Sequence, residues 1–285
     1  MSDSGKKVDN RSRIISLILS FLLAVFMLIT SATFVIYGFI LSENGINGSL
    51  REANYYEGVY ELIRDSVGDT LLPTGLPHSI IDDAITLDQV YADLNVYIEY
   101  MFANNTPYLQ TDMIAEIVNS NIDYYLHELG LTRAEVEYGA IEEIVEAIID
   151  EYNHYIGSPF LAYIVRVSNV FTNQLRLLIL VGLVGVLVST AIIYLVCRHS
   201  KYLTFRYFAF SFGTTALMII VAPLALRIWG GHHGLMVRPE FIYDFIITHI
   251  ERTISTLLLI GIIFIAFYLI FILISARLQK KLLQA

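Results

Sequence analysis

Four long apolar segments, each free of charged residues and histidine, constrain this chain more than any other feature. Each contains at least 20 residues, the length that a helix needs to cross roughly 30 Å of hydrocarbon. They occupy residues 14–41, 177–197, 207–226 and 253–275. Hydrophobic residues make up 56% of the whole chain, which is high for a soluble domain. The sequence therefore predicts an all-α, polytopic membrane protein with four transmembrane helices, TM1 to TM4.

The positively charged residues predict how the chain is oriented in the membrane. All five lysines and five of the arginines lie in three segments that four spans must place on one side: Lys6, Lys7, Arg11, Arg13, Arg198, Lys201, Arg206, Arg277, Lys280 and Lys281. The positive-inside rule makes this side the cytoplasm. We therefore expect a multi-pass plasma-membrane protein with both termini cytoplasmic. The apolar stretch of TM1 is about twice as long as a signal-peptide core, so we expect a retained anchor.

The spans divide the chain into alternating sides of the membrane. The predicted order is a cytoplasmic tail (1–13), TM1 (14–41), a helical extracytoplasmic domain (42–175), TM2 (176–197), a cytoplasmic loop (198–206), TM3 (207–228), an extracytoplasmic loop and helix (229–252), TM4 (253–275) and a cytoplasmic tail (276–285). This plan resembles that of tetraspanning proteins in outline. The single cysteine, Cys197, excludes the disulfide-bonded loop of the tetraspanins.

The domain between TM1 and TM2 is strongly acidic. Residues 42–175 contain 22 acidic side chains and four arginines, a formal balance of −18. Such a field attracts cations and basic partners and repels nucleic acid, so we exclude nucleic-acid binding. Carboxylates also simply solvate the outer faces of helices, and the composition leaves this alternative open.

Local signals predict that this domain is helical. Apolar residues recur every three to four positions at Tyr55, Val59, Leu62, Ile63 and Val67. Capping boxes predict that two further helices start at Thr86 and Thr132. Pro159 suits the first turn of a helix that continues through Cys197, and Pro239 suits the start of one that continues into TM4. Tyrosine pairs at 55–56 and 124–125 are interpreted as core residues, with a recognition surface as the alternative.

Two adjacent histidines in the motif "GGHHG" raise the possibility of a metal site. His232 and His233 lie between glycines, and Glu240, Asp244 and His249 follow on the next predicted helix. Zinc or another divalent cation is the candidate ligand of His232, His233, His249 and Asp244, and no other cofactor is predicted. The spacing does not match a helical two-histidine metalloprotease motif. A turn where the chain leaves the membrane is the alternative interpretation.

Small and weakly polar residues in the spans indicate close helix packing. Ser16, Ser20 and Ala24 are spaced by four in TM1, as are Gly185 and Ser189 in TM2. Together with Gly185 and Ser189, residues Ser211, Thr214 and Thr215 are candidates for either helix packing or a pore lining.

The predicted function is binding without catalysis. The span interiors carry no Asp, Glu, Lys, Arg or His, which argues against a proton-coupled transporter. We expect an integral membrane protein, in contact with lipid, whose acidic helical ectodomain binds a protein partner, a ligand or a further copy of the chain as a sensor, scaffold or accessory subunit. The alternative is a homo-oligomeric, cation-preferring channel. A third possibility is a metal-dependent membrane enzyme that uses His232 and His233 with Asp244 or Glu240.

Overall fold

The computed structural model describes residues 10–107, 109–136, 139–198 and 200–284, apart from the side chains of residues 10–12, 232 and 283. Within these residues the chain is helical and contains no β-strand. The α-helices are α1 (Asn10–Val35), α2 (Glu43–Glu52), α3 (Tyr55–Leu71), α4 (Leu87–Phe102), α5 (Asp112–Glu128), α6 (Ala140–Ile156), α7 (Pro159–Val196), α8 (Lys201–Trp229) and α9 (Glu240–Gln284). A π-helical turn, Ile36–Ile40, follows α1.

Four helical segments are long and apolar enough to cross a membrane. They are Arg13–Ile40, Pro159–Val196, Lys201–Trp229 and Glu240–Leu282. Each covers one of the four apolar blocks of the sequence to within one residue. The predictions of an all-α chain and of four helices with the length and apolarity of membrane spans are therefore confirmed for the described part of the chain.

The chain divides into two compact units. The span unit consists of Met1–Ile40, Phe171–Leu235 and Ile250–Ala285, and the inserted unit consists of Leu41–Val170 and Met236–His249. Met236–His249 falls within the segment 229–252, for which the sequence predicts a separate loop and helix. In the structure these residues belong to the inserted unit.

The inserted unit has its own apolar core. On α3 the core residues are Tyr55, Tyr56, Val59, Ile63 and Val67, each at most 2% exposed. The matching stripe of α6 consists of Ile141, Val145, Ile148, Tyr152 and Ile156. Because both stripes recur every three to four residues, each helix buries one face and leaves the opposite face to solvent.

Most of the predicted helix starts agree with the structure. The Thr86 hydroxyl accepts a hydrogen bond from the Gln89 backbone N–H at 3.3 Å, which caps α4. Helix α7 runs without a break from Pro159 to Val196, one residue short of the predicted end.

The prediction that a helix starts at Thr132 is wrong. The capping box there closes only a 3₁₀ turn, Arg133–Glu135. Val136 is then extended, and α6 begins only after Gly139, whose φ of 86° is unfavourable for other residues. The capping signal is local, and it does not determine how far the helix continues.

Several tyrosines of this core have raised pKa values because they are buried. Burial raises the pKa of Tyr55 and of Tyr56 from 10.0 to about 12, with Tyr91 adding to the effect at Tyr56. Burial, and then the hydrogen bond that its hydroxyl donates to Asp93, also raises the pKa of Tyr152. The core interpretation therefore holds for the first tyrosine pair, whereas Tyr124 of the second pair is 69% exposed.

The raised tyrosine pKa values predict a loss of stability in alkali. As the pH rises, the unfolded chain releases its phenolic protons near pH 10, before the folded chain does. The stabilisation is complete below pH 10 and is lost between about pH 10 and 12, at up to about 3 kcal/mol for Tyr55. We expect Tyr55→Phe and Tyr56→Phe to reduce this loss when free energies of unfolding are compared at pH 9 and pH 11.5. Tyr124→Phe is the exposed control and should leave the loss unchanged.

Candidate functional site

The loop that carries His232 and His233 forms a tight turn at the end of α8. Gly230 ends the helix with a φ of 63°, and Gly231–Gly234 form one 3₁₀ turn. The His233 Nε2 atom lies 3.8 Å from the Glu251 Oε1 atom of α9. The side chain of His232 lies outside the described residues.

The other candidate metal residues lie in the inserted unit, at the start of α9. The Nδ1 atom of His249 lies 2.8 Å from the Ser49 Oγ atom of α2, within hydrogen-bonding distance, and its ring stacks on that of Phe245 at 5.6 Å. Asp244 and Glu240 are exposed. Among the side chains that the structure describes, no group of three or more His, Cys, Asp or Glu residues is arranged to hold a metal ion. The zinc site stays a prediction of the sequence.

The small residues of the span unit pack helices together. The Ser211 hydroxyl donates to the Ser20 backbone carbonyl at 2.7 Å, and the Thr215 hydroxyl donates to that of Ala24 at 3.2 Å. Both hydroxyls are buried between α1 and α8. The packing of these two helices therefore supplies hydrogen-bond acceptors for both hydroxyl groups.

The remaining candidates of the span unit lie on α7 and α8. A Cβ placed on Gly185 would lie 2.5 Å from the Phe26 ring, so the glycine permits close contact between α7 and α1. Ser189 is 3% exposed. Thr214 lines a groove between α8 and α9.

An aromatic cluster that is not predicted from the sequence holds the start of α9 within the inserted unit. The Phe241 ring lies 5.1 Å from the Tyr55 ring, and the Phe245 ring lies 5.8 Å from that of Phe160, both in edge-to-face geometry. Phe241 packs directly over Gly58 of α3. In the sequence the only sign of this contact is Gly58 itself, a glycine inside α3 and beside its apolar stripe.

The solvent face of α3 carries a row of carboxylates, which we call the acidic face. Its members are exposed and follow one another at intervals of four residues: Glu57, Glu61, Asp65 and Asp69. Among the described residues, none of these carboxylates makes an ion pair. The neighbouring cation pairs elsewhere, since the Arg64 Nη2 atom lies 2.6 Å from the Asp82 Oδ1 atom.

The acidic face is unfavourable for α3 itself. Like charges four residues apart destabilise a helix by about 0.2–0.5 kcal/mol per pair. Asp69 also lies in the last turn, which contains no basic residue and where the helix dipole disfavours an anion. By contrast, Glu142 and Glu143 of α6 lie in a first turn, where the dipole favours them. The fold thus explains the acids at the start of α6 but not the acidic face.

This arrangement can bind positive charge. Four exposed carboxylates on one helix face present negative potential along the roughly 18 Å between Glu57 and Asp69. The spacing is visible in the sequence, but the exposure of all four residues on a face opposite the core is a finding of the structure.

No family model, curated protein or solved structure matches the chain.

Proposed function

We propose that this chain is a non-catalytic integral membrane protein whose inserted unit lies outside the cytoplasm and binds a basic protein partner. It would act as a sensor, a scaffold or an accessory subunit of a membrane complex. The acidic face of α3 is the observation that carries the proposal, because it presents negative charge that the helix does not need.

Charge and packing of the inserted unit support this function. Residues 42–175 carry a formal balance of −18, so long-range steering favours a positively charged partner. The unit has an apolar core that includes residues from Ile46 to Phe245. A packed core holds the carboxylates on a fixed backbone, which lowers the conformational cost of binding.

The distribution of cations supports the proposed orientation. All lysines fall in the three segments that four membrane crossings would place on the same side of the membrane. The positive-inside rule assigns that side to the cytoplasm. The inserted unit then faces the other side of the plasma membrane, where an extracytoplasmic partner reaches it.

Charge-neutral variants test the acidic face. The first variant combines Glu57→Gln, Glu61→Gln, Asp65→Asn and Asp69→Asn. The matched control removes the same charge from exposed residues of α6, through Glu142→Gln, Glu143→Gln, Glu146→Gln and Asp150→Asn. Binding of a decalysine peptide to purified protein should weaken about tenfold or more in the first variant and much less in the control. Added salt should weaken the wild-type interaction.

The outcomes separate a site from a general field. Equal losses in both variants would mean that only the net charge attracts the peptide, and no loss in either would reject the acidic face. A photo-crosslinking residue at position 61, with one at position 146 as control, then captures the natural partner in native membranes. A cation current from purified protein in planar bilayers would instead favour the channel alternative.

A further inference from the structure

An apolar groove lies between α8 and α9 in the span unit. Its volume is about 660 Å³, within the range of ligand-binding pockets. The lining includes Phe210, Gly213, Thr214, Leu217, Ile265 and Tyr268. Both helices are apolar enough to cross a membrane. If they do, the groove faces the hydrocarbon chains of the lipids.

Two glycines define how α8 and α9 approach each other along the groove. A Cβ on Gly213 would lie 3.0 Å from the Tyr268 ring, and one on Gly261 would lie 2.3 Å from a side-chain carbon of Ile220. The helices therefore touch where a glycine admits a large side chain. Leu217, halfway between these contacts on α8, is 66% exposed at the mouth of the groove.

A pair of opposite charges lies beyond one end of the groove. Arg227 follows Ile220 by seven residues and so projects from a similar face of α8. Its Nε atom is 3.8 Å from the Glu251 Oε2 atom of α9, and the His233 Nε2 atom is also 3.8 Å from that carboxylate. The helix rises by about 9 Å from the last lining residue of α8 to Arg227. Trp229, which is 76% exposed, is typical of the headgroup level.

We propose that this groove holds an acyl chain of a zwitterionic, amine-bearing glycerophospholipid, with the lipid phosphate at Arg227 and its ammonium group at Glu251. An arginine beside a carboxylate is complementary to a phosphate beside an ammonium group. An anionic lipid would meet the Glu251 carboxylate with no positive group of its own. The lipid chain fills the space that the two helices leave between them, and its headgroup remains at the membrane surface.

Native mass spectrometry of the full-length protein tests this site. Detergent-purified protein is delipidated and then offered phosphatidylethanolamine and phosphatidylglycerol in equal amounts. We expect wild-type protein to retain one phosphatidylethanolamine in preference to phosphatidylglycerol. Leu217→Trp fills the groove and should reduce retention about tenfold. Met218→Trp adds the same ring at a neighbouring exposed position outside the groove lining, and it should retain the lipid.

A second variant tests the headgroup without altering the groove. Arg227→Gln should lower phosphatidylethanolamine retention about tenfold, and Arg227→Lys should preserve part of it. Unchanged helical circular dichroism and elution volume confirm that each variant is folded. Equal retention by wild-type and Leu217→Trp protein would overturn the proposal, as would a preference for phosphatidylglycerol. A wild-type dimer that Leu217→Trp converts to monomer would also overturn it, because a second copy would then occupy the groove.

Discussion

Replacement of Gly58 by alanine is expected to destabilise the inserted unit, although alanine is the better helix former. In an ordinary helix the substitution gains up to about 1 kcal/mol. Here a Cβ would lie 2.4 Å from the Cβ of Phe241 and 2.6 Å from the first atom of its ring. Phe241 would have to move, and this movement would disturb its edge-to-face contact with Tyr55. Overpacking of this kind costs roughly 1–3 kcal/mol, so the net effect should be destabilising.

A double-mutant cycle shows whether the cost arises at this contact. Phe241→Ala removes the ring and leaves space for the new methyl group. In that background Gly58→Ala should become neutral or stabilising, which gives a coupling energy of about 1–3 kcal/mol. The free energy of unfolding in detergent, measured for the wild type, both single variants and the double variant, provides the test. A stabilised Gly58→Ala single variant would mean that Phe241 does not pack on α3.

The same contact shows why part of the fold could not be predicted from the sequence. The spans, α3 and α7 follow from signals that each lie within one continuous segment: an uncharged run of 20 or more residues, a three-to-four repeat of apolar residues, and Pro159 at a helix start. Residues 236–249 join the inserted unit through Gly58 and Phe241, which lie 183 positions apart (241 − 58). Nothing local to either residue identifies the other. His249, a candidate metal ligand in the sequence, likewise contacts Ser49, 200 positions away.

The helix pairs of the span unit illustrate the same limit. The four-residue spacing of Ser16, Ser20 and Ala24 predicts a close helix contact but not its partner. The structure pairs α1 with α8, where Ser211 and Thr215 donate to backbone carbonyls of α1. Hydroxyl groups that pack against a helix and hydroxyl groups that line a pore have the same sequence signature. The acidic face is the opposite case, since its spacing is visible in the sequence and only its exposure required the structure.

The orientation of the chain in the membrane is expected to give an all-or-none labelling result. Asn105 is exposed in the loop after α4, and Gln279 is exposed near the end of α9. Each is changed to cysteine in a Cys197→Ser background, so that no native thiol reacts. The native Cys197 Sγ atom lies 3.3 Å from the Ser16 Oγ atom, and the serine replaces it with a hydroxyl group that can also form a hydrogen bond there. If the inserted unit is extracytoplasmic, a membrane-impermeant maleimide should label Asn105→Cys fully in intact cells. Gln279→Cys should react only after the membrane is permeabilised.

The two positions are informative together because three of the four apolar segments lie between them. Three crossings place the two cysteines on opposite sides, whereas an even number would place them on the same side. Both side chains are exposed, so a difference in labelling reports sidedness and not burial. Labelling of both in intact cells, with a cytosolic marker protein unlabelled, would therefore contradict the four-span topology.

Labelling of Gln279→Cys alone would keep the four spans and invert their direction. The inserted unit would then lie in the cytoplasm, and the acidic face would have to meet its basic partner there. The lysine-rich segments would lie on the side that the positive-inside rule disfavours. Labelling of Asn105→Cys alone is the outcome that the proposed function requires, because only then can a partner outside the cytoplasm reach the carboxylates of α3.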